Sequence, residues 1–436
     1  MTGLQSNRGL AFALAAGCLL CAIPGTMAQS LPAPAKNSVT PNSTGTNLSS
    51  ARLRPGVYPA QPVPPEFAVP PTLLEEDAPI DWSIGLRGTY SQSNGTGSYV
   101  SRLLPRVSYS RSGTLLDTVF EASGDLAKTS TYDTPILASG QLSVSSSMAL
   151  DPTTTATAGL SLGLTQDLPG APGVSTNVIV PPQVFTGAAN VGLERSFGNV
   201  NLGGSLAASR TLYGQSTRND TGTTDNTDQN YWSGAATLRL GYQITPIFEV
   251  FGEGELQRDV FDIATPGTDI LPNATNRSLR AGISGKWNDV WKASASVGVG
   301  ERVFDDSRLG KVEAQLYGAE VTYAPDPTLT LRAGLETALA PAGADSEGRA
   351  RVQYTAFADA QYLVNTWLRL RASADWSHSE LVGTGTTEKR LGLGAGADYA
   401  LSAHTSLNAD YGYGNTDNSN GNTQTHQVSL GVTVSR

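Results

Sequence analysis

Cysteine is nearly missing from this chain. Only two occur in 436 residues, Cys18 and Cys21, both inside the apolar stretch LAFALAAGCLLCAI that follows Arg8. With Thr26-Met27-Ala28 ahead of Gln29, residues 1–28 read as an export signal. A retained membrane helix fits less well, because the run is short and lacks a stop-transfer flank. Lipid attachment at Cys18 also fits less well, because Ala15 stands where a bulky aliphatic is usual. Removal of such a signal leaves no cysteine, which excludes disulfides and cysteine-held metals.

Charge is scarce as well. Asp, Glu, Lys and Arg make up 15% of the chain, with a net charge of -9, against roughly 25% charged residues in soluble proteins. The acidic balance argues against a nucleic-acid partner. Histidine is limited to His378, His404 and His426. His404 falls at the opposite end of the strand pattern from the other two, so a Ser-His hydrolase is disfavoured. Gly-rich phosphate loops and HExxH are absent, and the one CxxC, Cys18-Leu19-Leu20-Cys21, falls inside the expected export signal. No enzyme activity, cofactor or metal is expected.

Helical periodicity is the third absence. Residues 29–80 carry SLPAPAKNSV, LRPGVYPAQPVPPEF and AVPPTLLEEDAP, a proline density incompatible with helix or central strand. They read as a disordered periplasmic linker or tail. From Asp81 to Arg436 apolar residues recur at period two. LRLRASADWS sets Leu368, Leu370, Ala372, Ala374 and Trp376 against Arg369, Arg371, Ser373, Asp375 and Ser377. VWKASASVGVGERV and RLGLGAGADYA repeat the pattern.

Such segments number about eighteen, with sixteen as the alternative. They start near residues 82, 103, 115, 139, 154, 183, 200, 231, 247, 277, 290, 311, 328, 350, 366, 388, 404 and 424. Their connections alternate in length. Tight turns are expected at 151–153, 197–199, 245–246, 288–289, 325–327 and 364–366, and long polar loops at 166–182, 213–230, 259–275, 341–348 and 415–422. That alternation describes an all-β transmembrane antiparallel β-barrel with short periplasmic turns, long external loops and both termini on the periplasmic side. A soluble barrel of this size would expose a large apolar face to water, whereas in a bilayer lipid covers that face. Trp82, Tyr90, Trp232, Tyr242, Trp287, Trp291, Tyr362, Trp367, Trp376, Tyr411 and Tyr413 suit interfacial girdles.

If the apolar parity meets lipid, the other parity lines a lumen. It carries Arg87, Glu121, Glu253, Glu255, Arg280, Lys292, Arg302, Arg332, Glu336, Asp359, Arg369, Arg371, Asp375, Arg390, Asp398 and Asp410, with Lys286, Lys311 and Glu313 assigned alongside. Two readings stand. Opposite charges pair across strands in a hydrated wall, or fixed charges form a constriction that biases passage. The cations from Arg280 to Arg390 favour anionic solutes or an acidic polysaccharide, while the interleaved carboxylates weigh against that bias.

The export signal, the Pro-rich lead, WSIGLRGTYSQS, the strand rhythm and the closing HQVSLGVTVSR resemble the bacterial outer-membrane barrels grouped as putative beta-barrel porins of type 2, over roughly residues 81–436. The ending Val434-Ser435-Arg436 departs from the aromatic last residue common among outer-membrane barrels. The resemblance implies an outer-membrane channel. It also implies contact with outer-membrane lipid, lipopolysaccharide and the barrel insertion machinery. Some relatives resemble the barrel partners of polysaccharide export systems, which would add a periplasmic export protein as partner. A mainly structural or surface-binding barrel is the third possibility. Oligomeric state is not legible.

Overall fold

The computed structural model describes residues 80–436 except 131–134, 168–177, 221, 343–348 and 419–420. The expected export signal and Pro-rich segment lie outside the described residues, apart from Ile80. Ile80 already belongs to the first strand.

The period-two segments form an 18-stranded antiparallel sheet. Its first nine strands are β1 Ile80–Ser93, β2 Thr96–Ser112, β3 Leu116–Thr129, β4 Ile136–Asp151, β5 Thr154–Gln166, β6 Gln183–Phe197, β7 Val200–Tyr213, β8 Tyr231–Thr245 and β9 Phe248–Phe261. The second nine are β10 Ala274–Trp287, β11 Trp291–Phe304, β12 Lys311–Asp326, β13 Leu329–Ala340, β14 Ala350–Asn365, β15 Leu368–Val382, β16 Thr386–Ala400, β17 Thr405–Asn418 and β18 Gly421–Ser435. Each strand pairs with its sequence neighbours. β1 pairs both with β2 (Arg87↔Arg102) and with β18 (Arg87↔Gly431), which closes the barrel. Closure removes the unpaired edges that an open sheet would present to lipid.

The alternative of sixteen strands is excluded, and most strand starts fall within a few residues of expectation. β2 is the exception, beginning at Thr96 rather than near 103. Leu103, Leu104 and Pro105 interrupt its alternation, so only its later portion was legible.

Long connections at 167–182, 214–230, 262–273 and 341–349 share one end of the barrel, and 152–153, 198–199, 246–247, 327–328 and 366–367 lie at the other. The rule fails at three connections on the long-loop side, those after β1, β15 and β17, the second being only residues 383–385. Asn94 and Gly95, with φ of 46° and 88°, make a tight turn on the long-loop side, as positive φ at both central positions requires in a type I′ hairpin. The polar run 415–422 is not a long loop. Asn415 pairs with Gln424 and Asp417 with Asn422, so β17 and β18 continue through it. A strand that rises clear of lipid needs no apolar face, so its sequence looks like loop.

Within the long connections, Val178–Val180, Ser216–Arg218 and Gly222–Thr224 form a separate three-stranded sheet. It is tied down where Gln166 donates to the Pro181 carbonyl at 2.9 Å and buried Asn226 donates to the Gly214 carbonyl at 2.9 Å.

Candidate functional site

The two faces of the sheet differ in the reach of their side chains. Arg87 on β1 meets Asp410 on β17 at 3.6 Å, passing over β18. Asn201 on β7 donates to Glu249 on β9 at 2.7 Å, passing over β8. Arg280 on β10 reaches the backbone carbonyl of Thr337 on β13 at 3.3 Å. Side chains converge in this way only on the concave side of a curved wall. The opposite parity is apolar and open, with Leu279 65% and Leu430 66% exposed.

Apart from Lys311 and Glu313, the residues assigned to the lumen from the sequence fall on the concave parity, as the strand registers require. The structure joins many of them into pairs. Arg371 holds Asp398 and Asp410, each at 2.8 Å. Arg390 bonds Glu388 at 2.5 Å, Glu121 accepts from Arg106 at 2.9 Å, and exposed Arg332 approaches Glu320 at 3.5 Å. Arg302 and Asp259 meet at 2.5 Å with both side chains essentially fully buried, and Asn276 accepts from the same guanidinium at 3.0 Å. Glu253 stands opposite Arg280 in register, Asp359 opposite Arg332, and Arg369 opposite Asp398. Glu255 and Glu336 lie within electrostatic reach of Arg280, and Asp375 within reach of Arg390. Lys292 faces Lys286 directly.

Two assignments are corrected. Lys311 and Glu313 share the parity of exposed Tyr317 on β12, and Glu320 takes the concave side instead. These two lie at the loop end of the strand, where the outward face is no longer apolar. They ion-pair with each other there.

Several concave residues escaped the sequence reading. Arg102 and Asp125, paired at 2.6 Å, lie on the strands whose starts were least legible. Arg239 lies between Leu238 and Leu240 in clear alternation and could have been found. Its guanidinium stacks 3.6 Å from the centre of the Phe251 ring and bonds Glu249 at 2.9 Å. Arg351 opens β14 beside described residues that lack apolar alternation. It lies within electrostatic reach of Glu388, Arg390 and Tyr213, and Tyr213 ends β7 on the far side of the barrel. Asp167, just past β5, also lies near Arg390, and burial pushes its carboxyl up against that cation's pull.

Glycine decides how the charges lie. A Cβ at Gly396 would strike the Asp410 carboxylate, one at Gly392 the Asp375 carboxylate, and one at Gly298 the Arg280 side chain. Each glycine lets a long polar side chain lie flat against the next strand. The charges consequently pair along the wall.

On the convex face aromatics gather at both ends. Trp291 packs on Tyr323 with centroids 4.2 Å apart and Trp367 on Tyr399 at 5.1 Å near the short turns, and Tyr90 packs on Tyr99 at 5.6 Å near the long loops. His378 lies beside Tyr354 and Trp376, and His426 Nδ1 hydrogen-bonds Tyr411 Oη at 2.9 Å. His404 is at a short turn, its Nδ1 3.2 Å from the Ser435 carbonyl. The three are not brought together. Among the described residues no group of three or more His, Cys, Asp or Glu side chains could hold a metal ion.

A profile described as Putative beta-barrel porin 2 matches residues 109–436. The chain belongs to this family. It is an outer-membrane β-barrel of the porin type, and its convex face meets outer-membrane lipid. Among solved structures it is similar to the outer membrane protein OpdK from Pseudomonas aeruginosa, at 12% identity over 82% of this chain and 99% of that one, with a TM-score of 0.40. It is also similar to OccK2 (OpdF) of the same organism, solved with glucuronate, at 12% identity over 82% and 98%, TM-score 0.41. The siderophore receptor PirA, again from Pseudomonas aeruginosa, matches at 10% identity over 82% and 80%, TM-score 0.40. No curated protein matches this porin.

Proposed function

We propose that this porin is a passive channel for hydrophilic solutes, with its long loops outside the cell and both ends of the barrel chain on the periplasmic side. The observation that carries the reading is the flattened charge lattice on the concave face. Arg371, Asp398, Asp410 and Arg87 link across β15 to β18 and on to β1 without crossing the barrel. Barrels of about 16–18 strands leave an aqueous interior that side chains alone do not fill. Charges held against the wall keep that interior hydrated and open, and Arg351, Glu388 and Arg390 at its long-loop end would set the size limit.

The lumen-lining role extends to the whole set from Arg87 to Asp410 named above. Because most cations have a carboxylate beside them, the channel should discriminate weakly by charge, contrary to a strong preference for anions.

Conductance in a planar bilayer tests the reading. Folded protein should give stable open-channel currents, and complete silence from folded protein would overturn it. The same recording with residues 29–79 deleted reads whether that segment affects passage.

A further inference from the structure

β12 and β13 part before they end. Their register runs from Asp326↔Leu329 to Gly318↔Glu336 and stops, although β12 extends to Lys311 and β13 to Ala340. Beyond that point β12 remains paired to β11 as far as Lys311↔Val303, and β13 to β14 as far as Ala340↔Arg351. The wall is split on the long-loop side, with a fully paired sheet on each lip.

Burial shows how the lips lie. On β12 the concave positions Val312 and Leu316 are 5% and 3% exposed, while the convex positions Glu313 and Gln315 are open. On β13 and β14 the order reverses. Convex Thr337 and Val352 are 0% and 7% exposed, and concave Ala338 is open. Val312, with Phe304 of β11, packs in one cluster with Val352 and Leu339. The concave face of one lip thus covers the convex face of the other, and the ends of β13 and β14 tuck inside those of β11 and β12.

The break is finished chemically. Tyr317 N–H donates to Thr337 Oγ1 at 3.2 Å, and Arg280 satisfies the Thr337 carbonyl. Backbone groups freed within a membrane wall must find such partners. Between the lips the lining is apolar, unlike the charged wall below it.

We propose that this seam is a lateral portal between the lumen and the surrounding lipid, used by amphiphiles that carry an apolar chain. The polar head of such a solute travels in the lumen, so the proposal rests on the channel reading for that part. A paired ladder, with strands about 4.8 Å apart, passes nothing between its strands. The split is closed only by the packing of Val312, Phe304, Leu339 and Val352, with no ladder bonds across it, so it can part to pass an alkyl chain between lumen and lipid while offering nothing to a sugar or an ion. Continuing the register past Gly318↔Glu336 would set Gln315 opposite Leu339, both on the convex side, and seal the wall.

The test is photolabelling of the full chain in lipid nanodiscs with an alkyl sulfonate bearing a diazirine on its chain. Adducts should concentrate on residues 311–317 and 337–352 and be competed by unlabelled alkyl sulfonate. Adducts spread evenly over the convex face would overturn the proposal, and this map needs no variant. The Q315C/L339C double variant, oxidised, should lose seam labelling at least tenfold, recover it on reduction, and keep its ion conductance. Unchanged labelling in the crosslinked protein would also overturn the portal. Seam-specific labelling in a protein that passes no ions would remove the channel reading and leave the portal standing.

Discussion

Arg371 on β15 reaches over Gly396 of β16 to bond Asp410 on β17 at 2.8 Å, while the same guanidinium holds Asp398 of β16 at 2.8 Å. One arginine thereby ties three strands together, and the missing side chain at position 396 makes the crossing possible.

Gly396→Val should break that crossing, because its Cβ would collide with the Asp410 carboxylate. Overpacking of this kind costs about 1–3 kcal/mol. A lower urea midpoint is expected, together with a smaller single-channel conductance as Arg371 and Asp410 are pushed off the wall. A variant with both quantities unchanged would remove glycine's assigned role.

The buried Arg302–Asp259 pair predicts a different asymmetry. Arg302→Met alone strands a buried carboxylate and should cost about 3–5 kcal/mol, whereas R302M/D259L should recover much of the loss. Urea unfolding followed by far-ultraviolet circular dichroism reads both, and equal losses in single and double variants would contradict the pairing argument.

Face assignment can be tested by charge insertion. Leu279→Arg places a cation on the convex face midway along β10 and should cost about 2–4 kcal/mol. Ser278→Arg, one residue away on the concave face, should be tolerated. Equal stability of the two would invalidate the parity.

Charge selectivity should respond to the concave cations that have no close carboxylate bond. Lys292→Glu combined with Arg369→Glu is expected to move the reversal potential in a salt gradient toward cation preference. Insensitivity to both changes would place these positions away from the conduction path.

The loop beyond β11 should be acid-sensitive. Asp305 is held below the usual carboxylate range by the hydrogen bond and charge of Arg258, and Asp306 is lowered from 3.8 to about 2 by side-chain and backbone hydrogen bonds to Arg308. A carboxyl whose pKa is lower in the folded state adds stability above its unfolded value, and that stability disappears as pH falls through the folded value. Pepsin cleavage at 305–310, normalised to an unfolded peptide, should therefore accelerate from about pH 4 to about pH 2. Asp306→Asn should flatten the rise, and a rate constant across this window would refute the coupling.

Period-two alternation at positions such as Leu368, Leu370, Ala372 and Ala374 already specifies a strand, its two faces and its neighbours' number, because side-chain direction in a strand is a local property. Arg369, Arg371, Asp398 and Asp410 could be assigned to one face for the same reason. Polar strand ends at Asn415–Asn418 misled, since outside lipid no apolar face is required. Arg102 and Asp125 were missed where Pro105 obscures the rhythm.

What the chain by itself determined is therefore the closed, amphipathic wall and the residues on each of its faces. Tertiary structure alone decided which charges meet, because Arg371 and Asp410 become neighbours only when curvature and Gly396 bring alternate strands together. It also decided that β12 and β13 separate beyond Gly318. The local pattern of both strands remains compatible with continued pairing, and only the packing of Val312 and Phe304 against Val352 and Leu339 sets one lip inside the other.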